Sequence, residues 1–327
     1  MTERPSAPEG AAAAPADASI TAGRSRLAAS GTSAAGLSGA GLVLLVALTL
    51  SWGFNWPMMK LALQEVPPWT FRTLCLMIGG GALLALTLST GGRISVPAGR
   101  LPQLALVSLF NITGWHLASA YALLYTGSGR AAIIGYTMPI WASLLSVLVL
   151  DARITQGQIV ALALGMAALA LLLGDDLSAL GAAPVGTLLM LLCAWSWAIG
   201  TVLIKRFDWG GMPVMALTGW QLLLGGVPVV IGWWLLEPVP DLTALSWPAL
   251  LGLNYAIWVA MLFCHTAYFK LVSLLPAHVA AIGTLATPVV GVLSSAWLLA
   301  EPVGAAETIA LILVVAGLFL LIRPFGR

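Results

Sequence analysis

Residues 51–60 read SWGFNWPMMK, and residues 196–205 read SWAIGTVLIK. Both open on Ser-Trp, both reach a Lys eight residues after that Trp, and both lie inside long apolar runs. The frame recurs 145 residues on (51 to 196), and further pairs keep the same spacing: Pro68 with Pro213, and Gly80-Gly81 with Gly225-Gly226. Later, Ala131-Ala132-Ile133 pairs with Ala280-Ala281-Ile282 and Pro139 with Pro288, at a spacing only slightly longer. One such match is chance. An ordered series reads as an internal duplication.

The surroundings of these frames set the fold class. Of 327 residues, 60% are hydrophobic and 8% charged, with a mean hydropathy of +0.99. A soluble domain carries about 25% charged residues, so an ordinary globular surface is excluded. The apolar residues come in blocks of about 20, the length that crosses a bilayer core as a helix. Helices are expected near 39–60, 69–90, 101–123, 129–150, 156–174, 184–204, 213–236, 247–269, 276–299 and 304–322. The expected fold is an all-α polytopic membrane protein of ten transmembrane helices, with no room for a soluble domain. Residues 1–38, rich in Ala, Ser, Gly, Pro and Thr, read as a disordered cytoplasmic tail. They are not a secretory signal, because the first apolar block lies too far in and lacks a cleavage site. A net charge of +2 gives no reason to invoke nucleic acid.

Lys and Arg concentrate on the cytoplasmic side of membrane proteins. With the N-terminus inside, Arg4, Arg24, Arg26, Arg93, Arg100, Arg153, Lys205, Arg206, Lys270, Arg323 and Arg327 fall inside. Only Lys60, Arg72 and Arg130 fall outside. Both termini are thus expected in the cytoplasm. Each copy of the repeat holds five spans, an odd number, so the second copy starts from the opposite face. The expected halves, 39–174 and 184–323, form two inverted five-helix repeats. In many secondary transporters such repeats enclose a substrate site near mid-membrane.

Several stretches carry a family resemblance: SWGFNWPMMK (51–60), PPWTFRTLCL (67–76) and AAIIGYTMPIWASLLSVLVLDARIT (131–155) in the first half. In the second they are TGWQLLLGG (218–226) and AAIGTLATPVVGVLSSAWLLAEPVGA (280–305). The chain resembles the EamA family of the drug/metabolite transporter superfamily over about 39–323, and within it the YddG-type amino-acid exporters. A Gly-Glu-Arg turn usual in that family after the fourth span is Asp151-Ala152-Arg153 here. The resemblance implies a carrier of small metabolites, without a cofactor, in the inner membrane.

Polar residues inside hydrocarbon normally face a bundle interior or a cavity. Trp52, Asn55, Trp56 and Met59 share one helix face, and Pro57 invites a kink there. Trp115, His116 and Ser119 lie on the third span; Tyr255, Trp258 and His265 form a stripe on the eighth. Tyr136 with Pro139, and Thr284 and Thr287 with Pro288, occupy matching places in the two halves. Trp141 and Trp197 also lie deep. The expected substrate-binding set is therefore Trp52, Asn55, Trp56, Trp115, His116, Ser119, Tyr136, Trp141, Trp197, Tyr255, Trp258, Thr284 and Thr287. Pro57, Pro139 and Pro288 are the expected hinges. Helix packing is the competing explanation for each of them, with Asn55 or His116 bonded to a neighbouring backbone. Lys60, Lys205 and Arg72 are expected at the interface, Arg72 snorkelling outward or pairing with Glu65.

Cys75, Cys193 and Cys264 fall in apolar spans at unrelated spacings; they read as packing residues, with reactive thiols as the alternative, and offer no metal or disulfide pattern. No carboxylate falls near a span centre. That favours facilitated movement, or weak proton coupling through His116, and disfavours a dicationic drug. The expected function is export of neutral or zwitterionic metabolites, amino acids with aromatic or apolar side chains foremost. The alternatives are transport of a nucleotide-sugar, sugar phosphate or drug on the same fold, an intramembrane enzyme, and a scaffold without transport. Ser119 and His116, three residues apart on one helix, do not form a nucleophile and its base. Ala161, Gly165 and Ala168 on the fifth span suit an internal contact or a dimer seam, so monomer and homodimer both stay open.

Overall fold

In hydrocarbon a backbone has no water to bond to, and a helix satisfies each N–H within its own segment. The computed structural model describes residues 39–150, 155–178, 183–274 and 277–322, and these are helices joined by short turns, with no strand among them. The expected tail 1–38, the Asp151–Arg153 turn and Arg323 lie outside the described residues. In order come α1 (Gly39–Leu63) and α2 (Pro68–Ser89). Next is α3 (Leu101–Ser108, Leu109–Gly114 and Trp115–Tyr125), then α4 (Ser128–Gly135 and Met138–Val149). They are followed by α5 (Gln156–Ser178), α6 (Ala183–Arg206) and α7 (Val214–Leu236). The last are α8 (Trp247–Asn254, Tyr255–Phe263 and Cys264–Leu274), α9 (Ala277–Leu299) and α10 (Ala305–Ile322).

Seven of these are long and apolar enough to cross a membrane: Gly39–Leu63, Pro68–Ser89, Ser128–Val149, Gln156–Gly174, Pro184–Arg206, Val214–Leu236 and Trp247–Tyr268. Ala286–Leu299 and Ala305–Leu320 are shorter apolar helices. α3 is the most polar, with Ser108, Asn111, Thr113, His116 and Ser119 all buried.

α3 and α8 each contain a wide π-helical segment, Leu109–Gly114 and Tyr255–Phe263. These are the third helices of the two halves expected from the sequence. A π segment re-aims the side chains that follow it and tends to occur at functional sites. It also spoils the simple helical spacing used to group Tyr255 with Trp258. α4 and α9 differ more. α4 breaks at Tyr136–Thr137 and restarts with Pro139 in its first turn, whereas α9 carries Pro288 in an unbroken helix.

Helices at matching places in the two halves expected from the sequence lie against one another: α2 on α7, α4 on α9 and α5 on α10. Glycines allow the close approaches. Gly80 abuts Leu222 and Leu223, Gly225 abuts Ile112, and Gly317 meets the carbonyl of Ala161. Gly165 meets Ile140, and Ala161 and Ala168 are fully buried. The small-residue stripe of α5 is thus consumed by α4 and α10 as an internal contact.

Gly252 on α8 has the strictest constraint. A methyl there would sit 2.3 Å from the Met58 carbonyl and 2.9 Å from the Ala62 nitrogen, both backbone atoms. Around Gly81 on α2 nothing lies within 4 Å. Gly252→Ala should lower stability by about 1–3 kcal/mol through overpacking. Gly81→Ala should leave it unchanged or slightly raised. Thermal unfolding of the two variants in the same detergent checks the contrast.

Candidate functional site

α2 starts at Pro68, and its free N–H groups are capped from the far half of the chain. Glu237, just after α7, accepts from the Trp69 and Thr70 backbones at 3.0 and 2.8 Å and from the Thr70 hydroxyl at 2.9 Å. A carboxylate at a helix N-terminus meets both the orphan donors and the positive end of the dipole. With α2 seated this way, Arg72 shares its inward face with Cys75 and Leu76, both fully buried.

Arg72 therefore points inward and is 1% exposed. Its Nε donates to the His116 carbonyl at 2.8 Å; its Nη2 donates to Ser119 Oγ at 2.8 Å and to Met59 Sδ at 3.3 Å. The guanidinium also lies 4.9 Å from the centre of the Phe71 ring. α1, α2 and α3 meet at this point, and α6 joins them through Cys193, whose Sγ donates to the Trp115 carbonyl at 3.3 Å. This corrects the interfacial placement of Arg72. The expected Glu65 partner instead accepts from the Ser246 backbone at 2.8 Å and from its hydroxyl. The sequence signal was present in Cys75 and Leu76, one turn on, which mark that face of α2 as interior.

Of the expected site residues, His116 and Ser119 are buried at this junction. His116 Nδ1 and Asn55 Oδ1 are buried with no hydrogen-bond partner. The Trp56 ring is wedged between the close approaches of Gly135 and Gly291. Thr287, fully buried, lies beside Tyr136 at the break in α4. The deep tryptophans pair off: Trp115 with Trp197 at 5.0 Å, and Trp141 with Trp195 at 4.8 Å. Trp141 also donates to Thr137 Oγ1 on its own helix at 3.0 Å. Trp195 was absent from the expected set. Trp52 packs on Tyr268 and sets His265 edge-on, and the Tyr255 hydroxyl donates to the Ser51 carbonyl at 2.9 Å.

Trp258 does not join them. It is 48% exposed, turned outward within the π segment of α8, which corrects its placement in a cavity wall. The Thr284 side chain lies outside the described residues. Pro57 and Pro288 sit inside continuous helices, and Pro139 follows the α4 break. A cleft of about 420 Å³ lies not at the centre but along the flank between α3 and α6, lined by Trp69, Phe110, Leu117, Tyr121 and Leu192. Its rim is apolar and exposed, with Leu109 at 47% and Leu192 at 59%.

The capping of α2 is repeated around one end of the bundle. Glu301, after α9, accepts from the Ser128 and Gly129 backbones at the start of α4, at 2.9 and 3.0 Å. Glu65, after α1, caps the approach to α8 through Ser246. Arg130 on α4 pairs with Glu307 on α10. Each of these four links joins the first half of the chain to the second. Lys60 adds a bond within the first half, donating to the Thr126 carbonyl at 2.5 Å. At the other end, Trp220 Nε1 donates to the Ile94 carbonyl at 2.7 Å and Arg100 forms an exposed pair with Asp208 at 3.9 Å.

A polytopic helical protein with partnerless polar atoms in its interior is the architecture of a membrane carrier. The chain belongs to the EamA-like transporter family, whose model matches it twice, over residues 39–174 and 184–323. It is 24% identical to an uncharacterized transporter, YoaV, of Bacillus subtilis over 86% of this chain and 97% of that one. It is 26% identical to a "Probable amino-acid metabolite efflux pump" of Salmonella typhimurium over 87% of this chain and 94% of that one. A solved crystal structure shares the fold with a TM-score of 0.61 and 21% identity, covering 88% of this chain and 99% of its own. Family and relatives alike are named as transporters, not enzymes.

The bonds from Ser246 hold the Glu65 carboxyl below its ordinary range. A group whose pKa is depressed on folding contributes stability above its unfolded pKa and loses it as pH falls through the folded value. Wild type should therefore melt above Glu65→Gln at neutral pH, and the two curves should converge on acidification below the glutamate range. Melting temperatures of both proteins across pH 3–8 check it.

Proposed function

We propose that this protein is a secondary transporter exporting small neutral or zwitterionic metabolites, aromatic and apolar amino acids foremost, across the cytoplasmic membrane by alternating access. The observation that carries the reading is that buried polar atoms stand without partners in the apolar core, Asn55 Oδ1, His116 Nδ1 and Thr287 Oγ1 among them, with Trp56 and Trp141 buried in the same core and Trp115 packed against it. An unpaired polar group in hydrocarbon costs several kcal/mol, and a polar solute passing through would relieve that cost. The efflux-pump name of the Salmonella relative supports the same substrate class.

The scaffold in this reading has ten transmembrane helices in two inverted five-helix repeats, 39–174 and 184–323, with both termini cytoplasmic. Support comes from the packing of equivalent helices. Wherever contacts fix their direction they run antiparallel: the start of α2 meets the segment after α7, the start of α4 meets the segment after α9, and Ala161 early in α5 meets Gly317 late in α10. Inverted copies around an in-plane two-fold axis pack this way. The carboxylate-capped end is then the outer face, in keeping with the basic residues at the other. Transport proceeds as α4 and α9, with their matched prolines, exchange broken and straight forms around a site formed by Trp56, Asn55, Trp115, His116, Ser119, Tyr136 and Thr287. Trp52, Trp141, Trp197 and Tyr255 support its walls.

A sugar phosphate or nucleotide-sugar fits less well. Its phosphate calls for several cations, and among the described residues Arg72 is the one charged side chain in the buried interior.

Proteoliposomes loaded with unlabelled phenylalanine should accumulate labelled Phe, Trp and Met above empty vesicles, with and without a pH gradient. Failure of all three, with Thr, removes the amino-acid assignment. Losing one hydrogen bond to solute costs about 1.4 kcal/mol, so His116→Ala or Asn55→Ala should slow exchange by about tenfold. Trp258→Ala should leave the exchange rate unchanged.

A further inference from the structure

The Arg72 guanidinium has no carboxylate partner among the described residues. Its bonds go to a carbonyl, a hydroxyl and a thioether, and Nη1 takes part in none of them. Removing a cation from water costs several kcal/mol, and three neutral acceptors do not cancel its charge. A structural role would be served as well by a neutral donor. In a membrane interior, an ionised group marks a solute path by default. Arginine in particular presents a flat fork of N–H groups that matches a carboxylate with two parallel bonds.

The groups around it complement the rest of an amino acid. Ser119 Oγ and the unpaired Nδ1 of His116 belong to the α3 turn that holds the guanidinium. On α1, Met59 touches the guanidinium, and Asn55 lies one turn earlier on the same face. Its Oδ1 is a buried acceptor without a donor. One helical turn rises about 5.4 Å. That separates Asn55 from Met59, the α1 residue the guanidinium touches, by about the span of an α-amino acid bonded at both ends. The aromatic pair Trp115–Trp197 starts at the neighbouring residue of α3.

We propose that Arg72 is the receptor for the solute carboxylate, with Ser119 positioning its guanidinium and Asn55 Oδ1 accepting from the solute ammonium. This rests on the amino-acid reading above and names the residues that would make it selective for zwitterions. In the structure the guanidinium is closed over, so the carboxylate reaches it when the helices around it part.

The test uses the full chain in detergent and three phenyl probes: phenylalanine with both charged groups, phenylacetate with only the carboxylate and phenethylamine with only the ammonium. Phenylalanine and phenylacetate should raise the melting temperature of the wild type and phenethylamine should not. The phenylacetate shift should vanish in Arg72→Gln and persist in part in Arg72→Lys. In vesicles, phenylalanine exchange by Arg72→Gln should fall about tenfold or more, the equivalent of 1.4 kcal/mol. Phenethylamine stabilising the wild type as well as phenylalanine does would overturn the proposal, as would a phenylacetate shift surviving in Arg72→Gln, or no shift with any probe. If Arg72→Gln does not fold, the wild-type probe series decides alone. A phenylacetate shift without transport of any amino acid would leave the carboxylate receptor standing and remove the amino-acid reading instead.

Discussion

Hydrocarbon offers no hydrogen bonds, so each polar group inside the bundle must be answered by another part of the chain. Helix interiors meet this condition by themselves; helix starts do not, because their first N–H groups have no partner within the helix. The chain answers three of these regions with glutamates contributed by the opposite half: Glu237 to α2, Glu301 to α4 and Glu65 to the approach to α8. The two halves are joined because each completes the other. Their attachment at that end is ionic and directional, while α2 on α7 and α5 on α10 are held by glycine-permitted contact of apolar surface.

The same condition gives meaning to the exceptions. Six buried side-chain atoms among the described residues lack a partner; Asn55 Oδ1 and His116 Nδ1 are the two that belong to the helices around Arg72, an arginine whose hydrogen-bond acceptors are all neutral. These groups come from α1, α2 and α3 in the first half, and α6 brings Cys193 from the second. None of them lines the flank cleft of α3 and α6, whose apolar rim suits lipid chains rather than a charged solute.

Much of this was legible in the residues. Apolar blocks and Pro-Gly punctuation placed every described helix to within a few residues, because length and hydropathy are properties of a span by itself. The doubled family match falls on two stretches, SWGFNWPMMK and SWAIGTVLIK, that already share a frame in the sequence. Direction was harder to read. Trp258 was assigned inward by a 3.6-residue rhythm that does not hold through the π turn of α8. Arg72 was assigned outward because a cation near a span end usually snorkels; only Glu237, 165 positions further on (72 to 237), fixes how α2 begins. Contacts between halves so distant in the chain leave no local trace.

The unequal shapes of α4 and α9 carry one more consequence. Proline stands at the same place in both, yet one backbone is interrupted and the other is not. Identical chemistry thus tolerates two conformations, and the choice falls to neighbours rather than to the imino ring. In the transport reading proposed above, two helices in unlike postures imply a counterpart state, reached when they exchange those postures without making any new kind of bond.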